Sequence, residues 1–137
     1  MQVPIRAFLV DLFGTAVAAA HPDNCVAPHL PEPPATGRLV ILAAGKAAGA
    51  MAELAERHYV DQGGMAANRV SGLVVTRHGY GRPVRFVRLI EAGHPVPDAA
   101  GLAATFETLD ALHEGFQVIL GESGRGLFYG SGSNGHR

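Results

Sequence analysis

The order of apolar and polar positions along the chain predicts regular elements from its first residues. An apolar stripe at three- and four-residue steps, from near Pro4 to Ala20, predicts an amphipathic helix. The following stretch, residues 21–37, is rich in proline, small and polar residues, which predicts an extended connector without regular structure. We expect this connector to lie within a domain rather than between two domains.

Beyond the connector, apolar runs alternate with segments of helical spacing. Four runs bounded by glycine, proline or polar residues predict strands: residues 38–44, 71–79, 84–92 and 116–120. One helix is predicted from Lys46 to about Tyr59, and a second from Asp98, which can cap it, to Gly115, which can end it. This order predicts an α/β fold with a mainly parallel, Rossmann-like sheet and flanking helices, as an incomplete part of a larger domain.

The last residues of the chain, 121–137, depart from this pattern. They are rich in glycine and serine, have little apolar content and show no periodicity, a composition typical of disorder. We therefore predict an α/β part over residues 1–120 and a disordered tail over residues 121–137. A parallel sheet that stops at residue 120 has a strand without a covering helix, so self-association through an uncovered sheet edge is a further expectation.

Composition and charge limit the classes of partner. A net charge of −1 gives no indication of a nucleic-acid or membrane partner. The longest strongly apolar run, residues 39–44, is too short to cross a bilayer, and no signal-peptide pattern is present, so we expect a cytoplasmic protein. Cys25 is the one cysteine, and the seven histidines lack the spacing of metal ligands, so we predict no metal site.

Gly45 and Lys46 stand where the first predicted strand turns into a helix. Backbone N–H groups at a helix start attract anions together with a lysine, whereas a cation alone is unfavourable there by roughly 0.3–1 kcal/mol. The turn is not a phosphate-binding Walker A loop, because Val40 and Ala47 stand where that motif needs a glycine and a hydroxyl. An anion site and a tight turn with a solvated lysine both remain open from these residues.

A second candidate is the loop EAGHPVPDAAG that follows the third predicted strand. Its two prolines restrict the backbone, so Glu91, His94 and Asp98 would project from a rigid loop, as acid, base or substrate-binding groups must. The alternative is that Asp98 only caps the helix, Glu91 is solvated and His94 packs on a proline. Residues 76–78 end the preceding predicted strand and are a weaker candidate.

Four stretches, taken in order, resemble the amino-terminal domain of the class II glycerate 2-kinases, a family often labelled hydroxypyruvate reductase: LFGTAVAAAHP, LPEPPATGRLVILAAGKAAGAMA, GLVVTRHGY and IEAGHPVPDAAG. The resemblance covers residues 8–120. It implies an α/β enzyme of two domains that transfers the γ-phosphoryl group of ATP, with Mg²⁺, to the 2-hydroxyl of D-glycerate in the cleft between them.

The same resemblance assigns roles to the candidate residues. Lys46 matches the active-site lysine of the family's GAGKA turn, which implies a catalytic role for it. We expect Gly45, Glu91, His94 and Asp98 to shape the substrate-binding side of the cleft. The resemblance identifies no Mg²⁺ ligand in this chain.

Two departures from the family affect the expected activity. Its members are much longer, and in place of their SGGGSAL loop this chain has GESGRGLFYGSGSNGHR, as a truncated or frame-shifted product would. Because phosphoryl transfer needs groups from both domains, we expect a fragment that is inactive by itself. Two rival hypotheses are an oxidoreductase acting on hydroxypyruvate, although no GxGxxG motif follows a predicted strand, and a non-catalytic binding or assembly module.

Overall fold

The computed structural model describes residues 4–113, 117–122 and 127–130 of the chain, which fall into two compact units, Met1–Pro31 and Glu32–Arg137. The division at Pro31 lies inside the stretch that was expected to lie within a domain. In the described residues, none of the helices combines the length and apolar character that crossing a membrane requires.

The first unit consists of helices. Helix α1, Ile5–Ala19, matches the sequence prediction, and it contains no buried residue. The prediction of an extended connector is wrong at its start, because α2, Pro22–Cys25, and a 3₁₀ turn, Ala27–His29, follow α1. Proline is favourable at the first position of a helix, and the His21 side chain caps α2 by accepting a hydrogen bond from the Asp23 N–H.

The second unit is built on one five-stranded sheet. Its main elements, in chain order, are β1 Leu39–Ala44, α3 Ala48–Glu56, β2 Val70–Arg77, β3 Arg88–Ala92, α4 Ala99–His113, β4 Gln117–Glu122 and β5 Leu127–Gly130. A π-helical turn, Arg57–Gln62, and a 3₁₀ turn, Ala67–Arg69, separate α3 from β2.

The spatial order of the strands is β3-β2-β1-β4-β5. Strands β1 to β4 are mutually parallel, and β5 is antiparallel to β4. The crossover through α3 runs in one direction along the sheet and the crossover through α4 in the other, so right-handed connections place the two helices on opposite faces. The predicted α/β fold with a mainly parallel sheet is therefore confirmed.

The core lies on both faces of β1 and β2. Every residue of β1 except Ala44 is buried. On one face, Val40 and Leu42 of β1 pack with Leu73 of β2 and Ala104 of α4. On the opposite face, α3 contributes the small buried side chains of Ala48 and Ala52, as its alanine-rich pattern indicates.

The end of the chain differs from the prediction of a disordered segment. Residues 121 and 122 complete β4, and Leu127–Gly130 forms β5, because a Leu-Phe-Tyr run favours strand conformation and pairs with β4. Residues 123–126 and 131–137 lie outside the described residues, and the division at residue 120 stays a prediction. Since β5 pairs with β4, the edge expected at residues 116–120 is covered, and self-association also stays a prediction.

A buried carboxylate at the end of α3 determines where β3 begins. Glu56 is 1% exposed, and its oxygens accept hydrogen bonds of 2.7–2.9 Å from the backbone N–H groups of residues 85–87. These N–H groups are therefore used by the carboxylate and not by the sheet. For this reason β3 starts at Arg88 rather than at Val84, where the sequence predicted it.

We expect Glu56→Gln to lower the free energy of unfolding by about 1.5–3 kcal/mol, the range for hydrogen bonds to a charged group. The glutamine side chain keeps one acceptor oxygen, but its NH₂ group would face a backbone N–H and cannot accept a hydrogen bond from it. Urea unfolding followed by circular dichroism measures the effect. Glu53→Gln is the matched control, since Glu53 lies on the same helix half-buried and should change stability by less than about 0.5 kcal/mol. Equal effects of the two substitutions would contradict the role of Glu56.

Candidate functional site

A cleft of about 150 Å³ lies at the carboxyl ends of three adjacent parallel strands. Its walls are the turn after β1 (Gly45 and Lys46), the end of β2 (residues 75–77) and the end of β3 (residues 92–94). Parallel pairing places these strand ends at the same edge of the sheet, where ligands of open α/β sheets normally bind. The structure therefore brings the two candidate regions of the sequence into one cleft.

The turn after β1 holds Lys46 at the mouth of this cleft. Gly45 has a φ of +119°, in the left-handed region that favours glycine, and its N–H donates to the Val75 carbonyl at 2.9 Å. Helix α3 begins at Ala48 with Ala47 as its N-cap, so Lys46 precedes the helix instead of standing in its first turn. Lys46 is exposed, and no hydrogen bond or ion pair of its ammonium group is found within the described ranges.

Two polar side-chain atoms at the end of β2 are buried and have no hydrogen-bond partner among the described residues. Thr76 is 2% exposed, and its Oγ1 atom has no hydrogen-bond partner among the residues described by the structure. The Nε atom of Arg77 is also buried and has no hydrogen-bond partner in the described part of the chain. The guanidinium carbon of Arg77 lies 3.7 Å from the centroid of the Tyr80 ring. A cation–π contact of this kind fixes the position of the arginine without neutralising its charge.

The Glu91 carboxylate stabilises the loop that follows β2. Its oxygens accept hydrogen bonds from the N–H groups of Gly79, at 3.1 Å, and Gly81, at 2.8 Å. These two donors, Gly79 first, lower the pKa of Glu91 below its ordinary value. Glu91 therefore connects β3 to the loop after β2 and does not line the cleft.

Asp98 has a corresponding role in the loop that follows β3. Its Oδ1 atom accepts the Gly101 N–H at 2.9 Å in the first turn of α4, and its Oδ2 atom lies 3.0 Å from Nε2 of His78. The hydrogen bond from Gly101, followed by those from the Gly93 N–H and the His78 side chain, lowers the pKa of Asp98 to about 2. Asp98 thus caps α4, as the alternative interpretation of the sequence stated.

Of the sequence-predicted residues, the structure places Gly45, Lys46 and His94 on the cleft wall. Glu91 and Asp98 lie behind it and hold its loops. Glu91 and Asp98 keep their negative charge while they accept backbone N–H groups, and the cleft wall itself carries the cationic side chains of Lys46 and Arg77. The substrate-binding assignment of these residues stays a prediction.

The described residues do not fit a resident Mg²⁺ site. In that part of the chain, no group of three or more His, Cys, Asp or Glu side chains is placed to hold a metal ion. Mg²⁺ prefers carboxylate oxygens, and those of Glu91 and Asp98 already accept backbone hydrogen bonds.

Sequence reasoning gave Thr76 only as part of the weaker candidate, residues 76–78, and it missed the buried carboxylate of Glu56, which lies further from the site. Thr76 ends an otherwise apolar run, LVVT, and a hydroxyl at the end of a buried strand is the signal that was available. Glu56 follows Ala48 and Ala52 at four-residue steps, so a carboxylate on the buried face of α3 was visible in the pattern.

The capping role of Asp98 predicts a dependence of stability on pH. Its pKa falls from an ordinary 3.8 to about 2 on folding, so the charged carboxylate stabilises the folded state above pH 3.8, and this contribution is lost as pH falls through about 2. We expect Asp98→Asn to be less stable than the unmodified chain at pH 7, with the difference shrinking between pH 4 and pH 2. Urea unfolding over this pH range measures it.

Asp110→Asn serves as the control for this experiment, because Asp110 is exposed on the same helix. Its stability should follow that of the unmodified chain at every pH. A difference for Asp98→Asn that stays constant down to pH 2 would contradict the stabilising charge.

The chain is similar in sequence to proteins of known name. A family described as "Domain of unknown function (DUF4147)" matches residues 8–119. An Agrobacterium vitis protein named "Putative hydroxypyruvate reductase" is 40% identical over 103 residues, which are 75% of this chain and 22% of that protein. The "Glycerate 2-kinase" of Pyrococcus horikoshii is 29% identical over 144 residues, covering 93% of this chain and 31% of that protein.

The fold is shared with a solved structure. The crystal structure of a glycerate kinase from Thermotoga maritima superposes with a TM-score of 0.60 at 26% identity, covering 85% of this chain and 27% of that one. The chain spans less than a third of the length of each of these proteins. The resemblance carried by the four sequence stretches is thereby confirmed, and the chain belongs to the DUF4147 family, with glycerate 2-kinases among its relatives.

Proposed function

We propose that this chain provides the anion-binding part of the active site of a D-glycerate 2-kinase. The observation that carries the proposal is Lys46, which has no partner in the described residues and stands at the mouth of a cleft formed by three parallel strand ends. The relationship to proteins named glycerate 2-kinase supports the reaction class. The reaction would move the γ-phosphoryl group of ATP to the 2-hydroxyl of D-glycerate.

Within this proposal, the residues of the chain act by charge and position. The Lys46 ammonium stabilises negative charge on the substrate carboxylate or on the transferring group, as an electrostatic clamp. Gly45 allows the turn that places it, and His94 offers a polar group on the opposite wall. Glu91 and Asp98 keep the loops of the cleft in place through their backbone hydrogen bonds, which limits the rearrangement needed when substrate binds.

The size of the cleft indicates which part of the reaction it serves. At about 150 Å³, it is smaller than the roughly 300–1,000 Å³ of pockets that hold drug-sized molecules. A three-carbon acid or one phosphoryl group fits such a space, whereas a nucleotide would lie largely outside it. The proposal therefore assigns the cleft to the acid and the transferring group.

An oxidoreductase acting on hydroxypyruvate is the second candidate, because one relative carries that name. Residues 130–135 read GSGSNG, which has the letters of the dinucleotide motif GxGxxG and begins at the end of β5. The motif functions where a strand leads through a helix to a parallel neighbour, whereas β5 is antiparallel to β4. The strand order therefore favours the kinase, and the absence of NADH binding in a fluorescence titration would agree with it.

The proposal predicts that D-glycerate binds at Lys46, which is the only lysine in the chain. Reductive methylation with ¹³C-formaldehyde labels Lys46 and the α-amino group and keeps both charges. In NMR spectra of the labelled chain, D-glycerate should shift the Lys46 signal and leave the α-amino signal unchanged. Glycerol, which has no carboxylate, should shift neither signal.

Substitution of Lys46 completes this test in the unlabelled chain. Lys46→Ala should weaken D-glycerate binding at least about tenfold, because a charge-assisted contact is lost, while Lys46→Arg keeps the charge and should stay within about threefold. Isothermal titration calorimetry provides the dissociation constants. If Lys46→Ala binds D-glycerate as the unmodified chain does, Lys46 is a solvated side chain at a turn and the proposed site is wrong.

A further inference from the structure

Two buried polar side-chain atoms lack a hydrogen-bond partner within the described part of the chain, and both belong to the same cleft. They are Oγ1 of Thr76 and Nε of Arg77. Buried polar groups in folded proteins are almost always paired, so one without a partner among the described residues calls for an explanation. Thr76 is 2% exposed and lines the cleft, so its hydroxyl points to a bound ligand.

The position of Thr76 relates its hydroxyl to Lys46. Side chains alternate along β2, and Leu73 and Val75 face α4, so Thr76 lies on the opposite face, where α3 packs. The carbonyl of the neighbouring Val75 accepts the N–H of Gly45, which ties the turn that carries Lys46 to this end of β2. Thr76 and Lys46 therefore lie on adjoining walls of the cleft.

We infer that Thr76 is a ligand-binding residue whose hydroxyl hydrogen-bonds an oxygen of the anion held by Lys46. The inference rests on the proposed function and extends it to a residue that lies in the interior of the cleft. A threonine hydroxyl donates one hydrogen bond and accepts others, so it distinguishes a ligand oxygen from an apolar group. The ligand chemistry is an oxyanion, either the carboxylate of a small 2-hydroxy acid or a phosphoryl group.

The inference makes stability and binding change in opposite directions when the hydroxyl is removed. Thr76→Val keeps the shape of the side chain and removes a hydroxyl that has no partner in the protein, so the urea unfolding midpoint should stay the same or rise. Binding of D-glycerate should weaken at least about tenfold, as for loss of one hydrogen bond to a charged group. Thr76→Ser retains the hydroxyl and should bind within about threefold of the unmodified chain.

Thr108→Val is the matched control. The Thr108 hydroxyl is part-buried and donates to the Ala104 carbonyl at 2.8 Å, away from the cleft. This substitution removes a hydrogen bond that exists in the protein, so its urea midpoint should fall while D-glycerate binding is unchanged.

Calorimetric titrations with D-glycerate and with inorganic phosphate, on all four proteins, decide the question. A loss confined to D-glycerate assigns the hydroxyl to the carboxylate, and a loss for phosphate assigns it to the phosphoryl group. Unchanged binding by Thr76→Val, or a midpoint lowered as much as by Thr108→Val, would overturn the inference and leave the role of Lys46 intact. No binding of either anion by the unmodified chain would overturn the proposed function as well.

Discussion

The parallel pairing of β1 with β2 fixes the geometry on which the cleft depends. Its register places Ala44 opposite Val75, so the turn at Gly45 begins beside the end of β2. The pairing of β2 with β3 then places Arg77 opposite Ala92. Because all three strands run in the same direction, the residues that follow them meet at one edge, and no side chain has to reach across the sheet.

The charged side chains around the cleft are of two kinds: carboxylates that bind backbone N–H groups, and cations that have no carboxylate partner in the described residues. The carboxylates of Glu91 and Asp98 bind backbone N–H groups of neighbouring loops, which stabilises those loops and satisfies donors that would otherwise need water. The ammonium of Lys46 has no such partner in the described residues, and Arg77 is held by an aromatic ring. The cleft wall therefore carries two cationic side chains, while the carboxylates that hold its loops are not part of the wall.

Further from the cleft, a third carboxylate also binds backbone N–H groups: Glu56, at the end of α3, accepts those of residues 85–87. This contact holds the segment that enters β3, and β3 in turn carries Glu91 and leads to His94. Carboxylates that accept backbone N–H groups therefore connect the packing of α3 to the position of the loops around the cleft. The match to the Pyrococcus horikoshii protein named "Glycerate 2-kinase" covers 31% of that protein.

Local patterns in the sequence determined most of the elements and three residues of the cleft wall, Gly45, Lys46 and His94. The apolar runs gave β1 to β4, the Gly45 turn follows from the change of periodicity at that point, and Lys46 was notable because a cation near a helix start is locally unfavourable. The tertiary structure alone decided that Glu91 binds the backbone of the loop after β2, that β3 begins at Arg88, and that Thr76 lines the cleft with no hydrogen-bond partner among the described residues. These facts depend on contacts between residues ten to thirty positions apart, such as Glu91 with Gly81 and Glu56 with Phe86, and periodicity reports only on neighbours within a few residues.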